Sequence, residues 1–462
     1  MLNNKVIKAG SWYTLTNFFV TGISFLTLPI FTRILSTSDY GITSVYSSYV
    51  SIFSIVFSLD LVGAVQRAKF DFKDDYDRFI SSTLFLALLS FTIFSGVIVA
   101  FNGYFSEVLG LEKWLLYLAL VHSFFSFVQN FVFAKFGVEY NYRKISMVQI
   151  SNSIIGVFLS IVLILFVFNN KRYFGRILGS ALPIIVSGFI LLAYILIRGR
   201  ELVNKTYWKY ALAISVPLIF HGLAGIINAQ FDRIFINKYI GSSQAGVYSF
   251  AYNIGLIINV LWTSANQAWG PWFFEKMAIS DYVIIKKRAK NYRDFFTLAY
   301  VLILFLSPEI IKIMADKRYW VGLDIVPYIF MSYYFNLMYT FEVGIEFNEK
   351  RTDLIPIGTI LAAALNVILN IIFIPRFGYI AAAVTTVVSN FSSFLFHFLV
   401  VKFLLKKSIF GFRFHMLSLF YVVAATVLFS LFRYNIFVRI LIILLIFSVT
   451  LRKIRRGGKN VI

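Results

Sequence analysis

Long apolar stretches recur along the whole sequence and leave few folds open to this chain. About fourteen of them have the roughly 20 residues that a helix needs to cross a bilayer, and short polar segments separate them. In lipid, only helices and closed barrels satisfy every backbone hydrogen bond, and a barrel would show alternating segments of about ten residues. We therefore predict an all-α, polytopic membrane protein with about 14 transmembrane helices. The predicted spans are 9–34, 43–66, 79–101, 114–136, 146–168, 176–197, 210–238, 246–268, 294–315, 323–346, 354–374, 379–401, 414–432 and 435–451.

The composition agrees with a membrane protein and excludes other classes. Only 14% of the residues are charged, whereas soluble domains carry about a quarter, and 59% are hydrophobic. The absence of cysteine excludes disulfides and thiolate metal sites. The first apolar run follows Lys5 and Lys8 as a signal peptide would, but its length predicts a retained first helix.

The net charge of +22 reflects lysines and arginines that orient the chain in the membrane, and it does not indicate a nucleic-acid partner. With the amino terminus inside, the inner segments hold roughly 30 lysines and arginines and the outer ones roughly 13, as the positive-inside rule requires. An even number of spans then places both termini in the cytoplasm. We expect the basic inner residues to contact anionic membrane lipids.

The chain contains a duplicated unit. Residues 33–41 (RILSTSDYG) align with residues 238–246 (KYIGSSQAG) at an offset of about 205, and residues 173–175 align with 376–378 at nearly the same offset. Six spans per copy is an even number, so both copies enter the membrane from the same side and are related by a pseudo-two-fold axis along its normal. The predicted organisation is a first lobe of helices 1–6 at 1–206, a second lobe of helices 7–12 at 207–408, and helices 13 and 14 with a basic cytoplasmic tail at 409–462, outside the repeat.

Two shorter patterns predict local features. The inner segment 270–293 has the character of an amphipathic helix lying on the membrane surface. The pair Gly175-x3-Gly179 is typical of a close contact between two helices, since small residues let backbones approach.

The predicted seventh helix carries polar side chains at membrane depth. His221, Asn228 and Asp232 share one narrow face of that helix, and Arg233 follows directly. Lipid tails offer no hydrogen-bond partners, so such groups face a protein interior or a wet cavity. We therefore predict a substrate pathway along this face.

Two further helices carry polar stripes that suit a sugar. Amides donate and accept hydrogen bonds, and flat aromatic faces cover the apolar side of a sugar ring. The alternative is hydrogen bonding between helices, which uses Ser, Thr and Asn freely. The first stripe consists of Thr14, Asn17, Thr21 and Ser24, and the second of Asn259, Trp262, Asn266 and Trp269.

Two arginines are candidates for binding an anionic group. Arg233 and Arg33, at the outer end of the first helix, offer fork-shaped donors to phosphate oxygens. The alternative for both is an anchor that extends to the membrane interface.

Four carboxylates are candidates for ion coupling: Asp60, Asp232, Glu342 and Glu346. Paired or desolvated carboxylates bind protons near neutral pH, as an antiporter requires. The alternative for Glu342 and Glu346 is that both are solvated, because they lie within three turns of the inner surface.

The motifs of metal and nucleotide chemistry are missing from the sequence. No pair of histidines has the spacing of a zinc site such as H-E-x-x-H, and there is no G-x4-G-K-[ST] loop for ATP phosphates. We predict a protein without cofactor or metal that is not an enzyme. Energy would come from a gradient, from substrate supply or from a partner.

Four segments resemble the bacterial polysaccharide repeat-unit flippases. The first contains Pro-Ile-Phe-Thr-Arg at 29–33 and Asp-Tyr-Gly at 39–41, and the others are FDRIFINKYIGSSQAGVYSFAYNIG at 231–255, QAWGPWFFEKM at 267–277 and NVILNIIFIPRFGYIAAAVTTVVSN at 366–390. Where that family has glycine before the alanines, this chain has Ile380.

The resemblance implies a fold, a substrate and partners. The fold is that of the multidrug, oligosaccharidyl-lipid and polysaccharide exporter superfamily (MATE-like), with two lobes and alternating access. The substrate is an oligosaccharide repeat unit on a polyprenyl pyrophosphate, turned to the outer leaflet of the bacterial cytoplasmic membrane for O-antigen, capsule or exopolysaccharide synthesis. The partners are a polysaccharide polymerase and a chain-length regulator.

Two alternatives remain open from the residues. A cation-coupled multidrug antiporter of the same superfamily needs an acidic, apolar pocket, and the interior amides with Arg33 and Arg233 argue against it. A membrane-embedded polysaccharide polymerase or glycosyltransferase needs a sizeable external loop, and the predicted outer loops are too short to hold one.

Overall fold

The prediction of an all-α fold is confirmed. The computed structural model describes the backbone of residues 2–457 and the side chains of residues 12, 14–446 and 448, and no strand occurs between residues 2 and 457. The side chains of Lys5, Lys8 and the basic tail at 452–456 lie outside the described residues. The helices are α1 (Leu2–Ile34), α2 (Thr37–Val56), α3 (Val62–Asp71), α4 (Tyr76–Ala100), α5 (Asn102–Leu109), α6 (Lys113–Val138), α7 (Tyr142–Val162), α8 (Arg172–Gly199), α9 (Lys205–Tyr239), α10 (Ser242–Ala278), α11 (Tyr282–Met314), α12 (Val326–Asn348), α13 (Leu354–Phe377), α14 (Tyr379–Leu399), α15 (Phe412–Phe432) and α16 (Ile436–Gly457).

The chain is a multi-pass membrane protein. Among the described residues, eleven helices are long and apolar enough to cross a membrane, and α16 adds a shorter apolar stretch at Ile436–Ile446. The predicted total of about 14 spans stays a prediction.

The described helices form two compact units. The first ends at Gly246 and the second begins at Val247. In the first unit, α8 packs against α6 and α7, and α9 packs against α2, α3 and α4. In the second unit, α12 and α13 pack against α14, and α15 packs against α11 and α12. The lobe boundaries predicted after residues 206 and 408 stay predictions.

The two copies of the repeated motif contact each other within the first unit. A Cβ built on Gly41 would lie 1.8 Å from the Ser242 carbonyl oxygen, and one built on Gly246 would lie 1.9 Å from the Thr37 carbonyl oxygen. The hydroxyls of Thr37 and Ser243 are 2.8 Å apart. Each copy thus presents the same positions to the other, which is the arrangement that a local two-fold axis imposes.

The prediction of one continuous span at 43–66 is wrong. Helix α2 ends at Val56 and α3 begins at Val62, with a turn between them. Leu59 and Asp60 adopt left-handed backbone conformations, with φ of 56° and 46°. Neither residue is a glycine, and no proline stands nearby, so the sequence carries no breaking signal here.

The amphipathic surface helix predicted at 270–293 is not a separate element. Helix α10 continues to Ala278, and α11 begins at Tyr282 after a short turn. The side chain of Asp281 accepts a hydrogen bond from the Ile284 backbone N–H at 3.2 Å and caps the start of α11. The two membrane helices therefore extend into the predicted inner segment.

The predicted close contact at Gly175 and Gly179 is confirmed. A Cβ built on Gly179 would lie 2.4 Å from the Cα of Ser160, and one on Gly175 would lie 2.9 Å from the Ile164 backbone nitrogen. Helices α7 and α8 approach so closely here that only glycine fits.

Candidate functional site

The polar face predicted on the seventh helix lies on α9 in the first unit. Asp232 is fully buried, and His221 and Asn228 are half-buried. The Nδ1 atom of His221 is buried and has no hydrogen-bond partner in the structure. A buried polar atom without a protein partner is costly, which makes His221 a candidate for contact with a ligand or with water.

The turn between α2 and α3 brings Asp60 to the middle of α9. A Cβ built on Gly222 would lie 3.3 Å from Asp60 Oδ2, and Gly222 follows His221 directly. The sequence predicts a membrane span at 43–66 around this turn. Helices that are interrupted within a membrane are typical of transporter binding sites, because unwound backbone is tolerated there only beside a cavity or protein. Asp60 and the polar face of α9 therefore form the candidate site of the first unit.

Both candidate arginines make hydrogen bonds within their own helix. Arg233 is buried, and its Nη1 donates to the Ala229 carbonyl oxygen at 2.5 Å and to Gln230 Oε1 at 2.8 Å. Ser48 on α2 also donates to Gln230 Oε1, at 3.2 Å, so this group connects α9 to α2. Arg33 is exposed and donates to the Pro29 carbonyl oxygen at 2.8 Å.

The polar stripe of α1 is exposed along its length. Asn17 and Thr21 are both exposed, so neither is packed between helices as the structural alternative requires. Ser24 is also exposed, and its hydroxyl donates to the Val20 carbonyl oxygen of the same helix.

The stripe of α10 divides into two parts in the second unit. Asn259 and Asn266 are half-buried, whereas the Trp262 indole N–H donates to the Thr340 hydroxyl at 2.9 Å. Trp269 is buried, and its ring lies 5.4 Å from that of Tyr292 between packed aromatic side chains. Trp269 belongs to the core, whereas Asn259, Trp262 and Asn266 are all half-buried.

The interpretation of Glu342 and Glu346 as solvated groups is wrong. Their exposed fractions are 1% and 0%. His415 Nε2 lies 2.8 Å from Glu342 Oε1, and His397 Nδ1 lies 2.8 Å from Glu346 Oε1. Both histidines are also fully buried. We call these four residues the Glu–His cluster.

Three helices of the second unit build the Glu–His cluster. The glutamates are one turn apart on α12, whereas His397 comes from α14 and His415 from α15. A Cβ built on Gly358 of α13 would lie 2.4 Å from His397 Nε2, so the position of the imidazole requires glycine there. The surroundings are aromatic: ring centroids of Phe394, Phe398 and Phe414 lie 5.1, 5.2 and 5.1 Å from that of His415.

No pattern in the sequence indicates that His397 and His415 contact the two glutamates. Glu346 and His397 are 51 residues apart, and the histidines stand alone in apolar segments. The sequence does contain one general indication: a carboxylate buried in an apolar segment needs a polar partner, and histidines in other apolar segments are candidates for that role. Among the described residues, no group of three or more His, Asp or Glu side chains has a geometry that could hold a metal ion.

Comparison with known sequences identifies relatives of this chain. Residues 6–277, which are more than half of it, match the family described as polysaccharide biosynthesis protein. The Lsg locus putative protein 1 of Haemophilus influenzae is 24% identical over 329 residues, covering 69% of this chain and 78% of that protein. An uncharacterized membrane protein of Haemophilus influenzae is 24% identical over 374 residues, covering 78% of this chain and 88% of that protein.

Two solved structures share the fold. The lipid II flippase MurJ, in an inward closed conformation, matches with a TM-score of 0.72 and 17% identity, covering 96% of this chain and 99% of that one. An inward-facing multidrug resistance transporter of the MATE family and MOP superfamily matches with a TM-score of 0.59 and 15% identity, covering 84% of this chain and 96% of that one. The predicted MATE-like fold is confirmed by this likeness, which at such identities concerns the fold alone.

Proposed function

The chain belongs to the polysaccharide biosynthesis protein family, and from this premise we propose that it is a flippase. It moves polyprenyl-pyrophosphate-linked oligosaccharide repeat units from the inner to the outer leaflet of the bacterial cytoplasmic membrane by alternating access. Its product serves the synthesis of O-antigen, capsule or exopolysaccharide. The observation that carries this proposal is the family match over residues 6–277, supported by a fold shared with a solved flippase.

The proposed substrate contacts use the polar groups at membrane depth. Exposed Asn17 and Thr21 on α1 offer hydrogen bonds to sugar hydroxyls, and His221 has a buried nitrogen that lacks a partner. Arg33 and Arg233 carry the positive charge that a pyrophosphate requires. We assign the remaining sugar contacts to Asn228, Asn259, Trp262 and Asn266.

The energy for turnover comes from an ion gradient in this proposal. The sequence has no phosphate-binding loop for ATP, and it has carboxylates at membrane depth. Asp60 at the interrupted helix and Asp232 on α9 are the proposed coupling groups of the first unit. Glu342 and Glu346 are those of the second unit.

The proposed partners are inferred from the proposed role in polysaccharide synthesis and not from any contact seen in the structure. Lipid-linked repeat units and membrane lipids are the immediate ones. A polysaccharide polymerase and a chain-length regulator would act on the translocated product. In this proposal the protein is a transporter and not an enzyme. Both of its termini lie in the cytoplasm.

Reconstitution tests the proposed function. Proteoliposomes carrying a labelled polyprenyl-pyrophosphate oligosaccharide in both leaflets are treated with a membrane-impermeant glycosidase. The flippase exposes the whole labelled pool, whereas protein-free vesicles keep about half of it protected. In the same assay Arg233→Gln slows transport of the pyrophosphate-linked substrate about tenfold or more, the equivalent of one charged hydrogen bond. An unchanged Arg233→Gln rate removes the pyrophosphate contact from the proposal.

A multidrug antiporter is the second candidate, because a MATE transporter shares the fold. Expression in a drug-sensitive strain separates the two functions. Raised resistance to cationic drugs, together with no exposure of the oligosaccharide in vesicles, would replace the flippase proposal. Unchanged resistance with exposure of the oligosaccharide supports it.

A further inference from the structure

The Glu–His cluster brings together four buried ionisable side chains that lie outside the proposed substrate contacts. All four residues are at most 1% exposed. Glu346 Oε2, His397 Nε2, Glu342 Oε1 and both ring nitrogens of His415 are buried and have no hydrogen-bond partner in the structure, so the 2.8 Å between His415 and Glu342 is an ion-pair distance without hydrogen-bond geometry. Packing of α12, α14 and α15 would not by itself select four ionisable groups, because burying them costs free energy.

Charge balance sets the number of protons that the packed cluster holds. A buried glutamate and histidine are most stable when the pair is neutral, whether the proton sits on the carboxyl group or on the imidazole. Each pair is neutral only with one proton. A second proton would leave a buried positive charge, and none would leave a buried negative one. The packed cluster therefore holds two protons.

The nearby charges do not replace these protons. The side chain of Arg293 forms an ion pair with that of Asp294 at 2.7 Å, and the side chain of Arg351 forms one with that of Asp353 at 3.0 Å. Lys402 lies over the rings of Phe398 and Phe403. The ionisable side chains on the elements packed around the cluster include Tyr292, Arg293, Asp294, Tyr300, Tyr328, Tyr333, Tyr334, Tyr339, Glu349, Lys350, Arg351, Asp353, Arg376, Tyr379, Lys402, Lys406, Lys407, Arg413 and Tyr421.

Exposure of the cluster to water changes the number of protons that it binds. In water, glutamate has a pKa of about 4.3 and histidine of about 6.5, so at pH 7.5 a hydrated pair is mostly a carboxylate with a neutral imidazole and carries no proton. Opening the cluster to water at this pH therefore releases nearly two protons, and packing it again takes them up. By linkage, packing is favoured below about pH 6.5 and opposed as the pH rises above it.

We propose that the Glu–His cluster is a two-proton binding site, loaded when α12, α14 and α15 pack together and emptied when they separate. The opening can be local, because Glu346 lies two residues before the end of α12 and His415 three residues after the start of α15. In the predicted topology these ends face the cytoplasm. The binding of protons stands apart from the proposed function, whereas their use in transport rests on it.

Hydrogen exchange tests the site on the full-length protein in lipid nanodiscs. Mass spectrometry follows peptides from the ends of α12 and α14 at pH 6.0 and 8.5, with rates corrected for intrinsic exchange. We expect the local opening equilibrium to rise on the order of a hundredfold per pair between these pH values. In Glu342→Gln/Glu346→Gln this rise disappears, and the two remaining histidines, neutral when packed, give a fall of about fourfold each over the same pH range. The matched control is Glu349→Gln, which removes a carboxylate paired with Lys407 just beyond the same helix and keeps the full difference.

A second variant covers the case in which the double glutamine protein does not fold. Glu346→Gln/His397→Asn removes one pair and leaves the other. The ratio of the opening equilibrium constants at pH 8.5 and pH 6.0 then falls to about the square root of its value in the unmodified protein. Equal opening at pH 6.0 and 8.5 in the unmodified protein overturns the proposal, and so does an unchanged pH effect in either variant. Failure of the unmodified protein to expose oligosaccharide in vesicles would contradict the flippase function alone, since the exchange experiment needs no substrate.

Discussion

At the scale of single residues, the contact between the two repeat copies depends on glycine. The Cβ positions of Gly41 and Gly246 would lie within 2 Å of backbone carbonyl oxygens at Ser242 and Thr37. Backbone atoms at the start of a helix cannot move aside as the end of a side chain can. The Asp-Tyr-Gly and Gln-Ala-Gly sequences therefore carry a packing requirement as well as a family resemblance.

We expect Gly41→Ala to destabilise the protein by about 3 kcal/mol, because the added methyl group would overlap the Ser242 carbonyl. Thermal denaturation of the purified protein in detergent, followed by intrinsic fluorescence, measures the effect. Gly96→Ala is the matched control, since a Cβ there meets nothing within 4 Å. Equal melting temperatures for the two variants would show that the α2 and α10 ends are not packed as described.

At the scale of helices, α15 and α16 contact the rest of the second unit through buried ionisable groups, although both helices fall outside the sequence repeat. Helix α15 supplies His415 to the Glu–His cluster. In α16, the guanidinium of Arg439 is buried and donates to both carboxylate oxygens of Glu309 on α11, at 2.5 and 2.6 Å. The last two helices are therefore fixed to the unit through specific pairs, not through apolar contact alone.

Arg439→Met tests the fixation of α16. The variant leaves the Glu309 carboxylate without its bidentate partner, and we expect a loss of roughly 2 kcal/mol, since Glu309 is partly exposed. Chemical denaturation in detergent provides the measurement. Combining Arg439→Met with Glu309→Gln should recover part of the loss, because no unpaired charge remains. Arg433→Met is the control, as its pair with Asp324 is more exposed, and a loss as large as that of Arg439→Met would argue against a special role for the buried pair.

At the scale of the whole molecule, the orientation in the membrane decides which groups meet the cytoplasm. The positive-inside asymmetry predicts that the segment with Lys73 lies inside and the segment with Asn170 lies outside. Both side chains are exposed. The proposed transport direction and the cytoplasmic access to the Glu–His cluster depend on this orientation.

The absence of cysteine makes the orientation directly measurable. In whole cells, we expect Asn170→Cys to react with a membrane-impermeant maleimide, and Lys73→Cys to react only after the membrane is permeabilised, because the chain offers no other thiol. Mass-tag gel shifts report the labelling. The opposite pattern would reverse the predicted topology and place the Glu–His cluster on the outer side.

The sequence by itself determined that this chain crosses the membrane as helices, and it located the polar face of α9 and the close contact at Gly175 and Gly179. These features depend on local composition and spacing, because a helix in lipid satisfies its backbone within its own segment. The tertiary structure alone decided that α2 breaks before α3, that Trp269 packs in the core, and that Glu342 and Glu346 are buried against histidines. Such outcomes depend on which residues meet from distant segments, since burial and partner choice are set by packing between helices and not by the period along one of them.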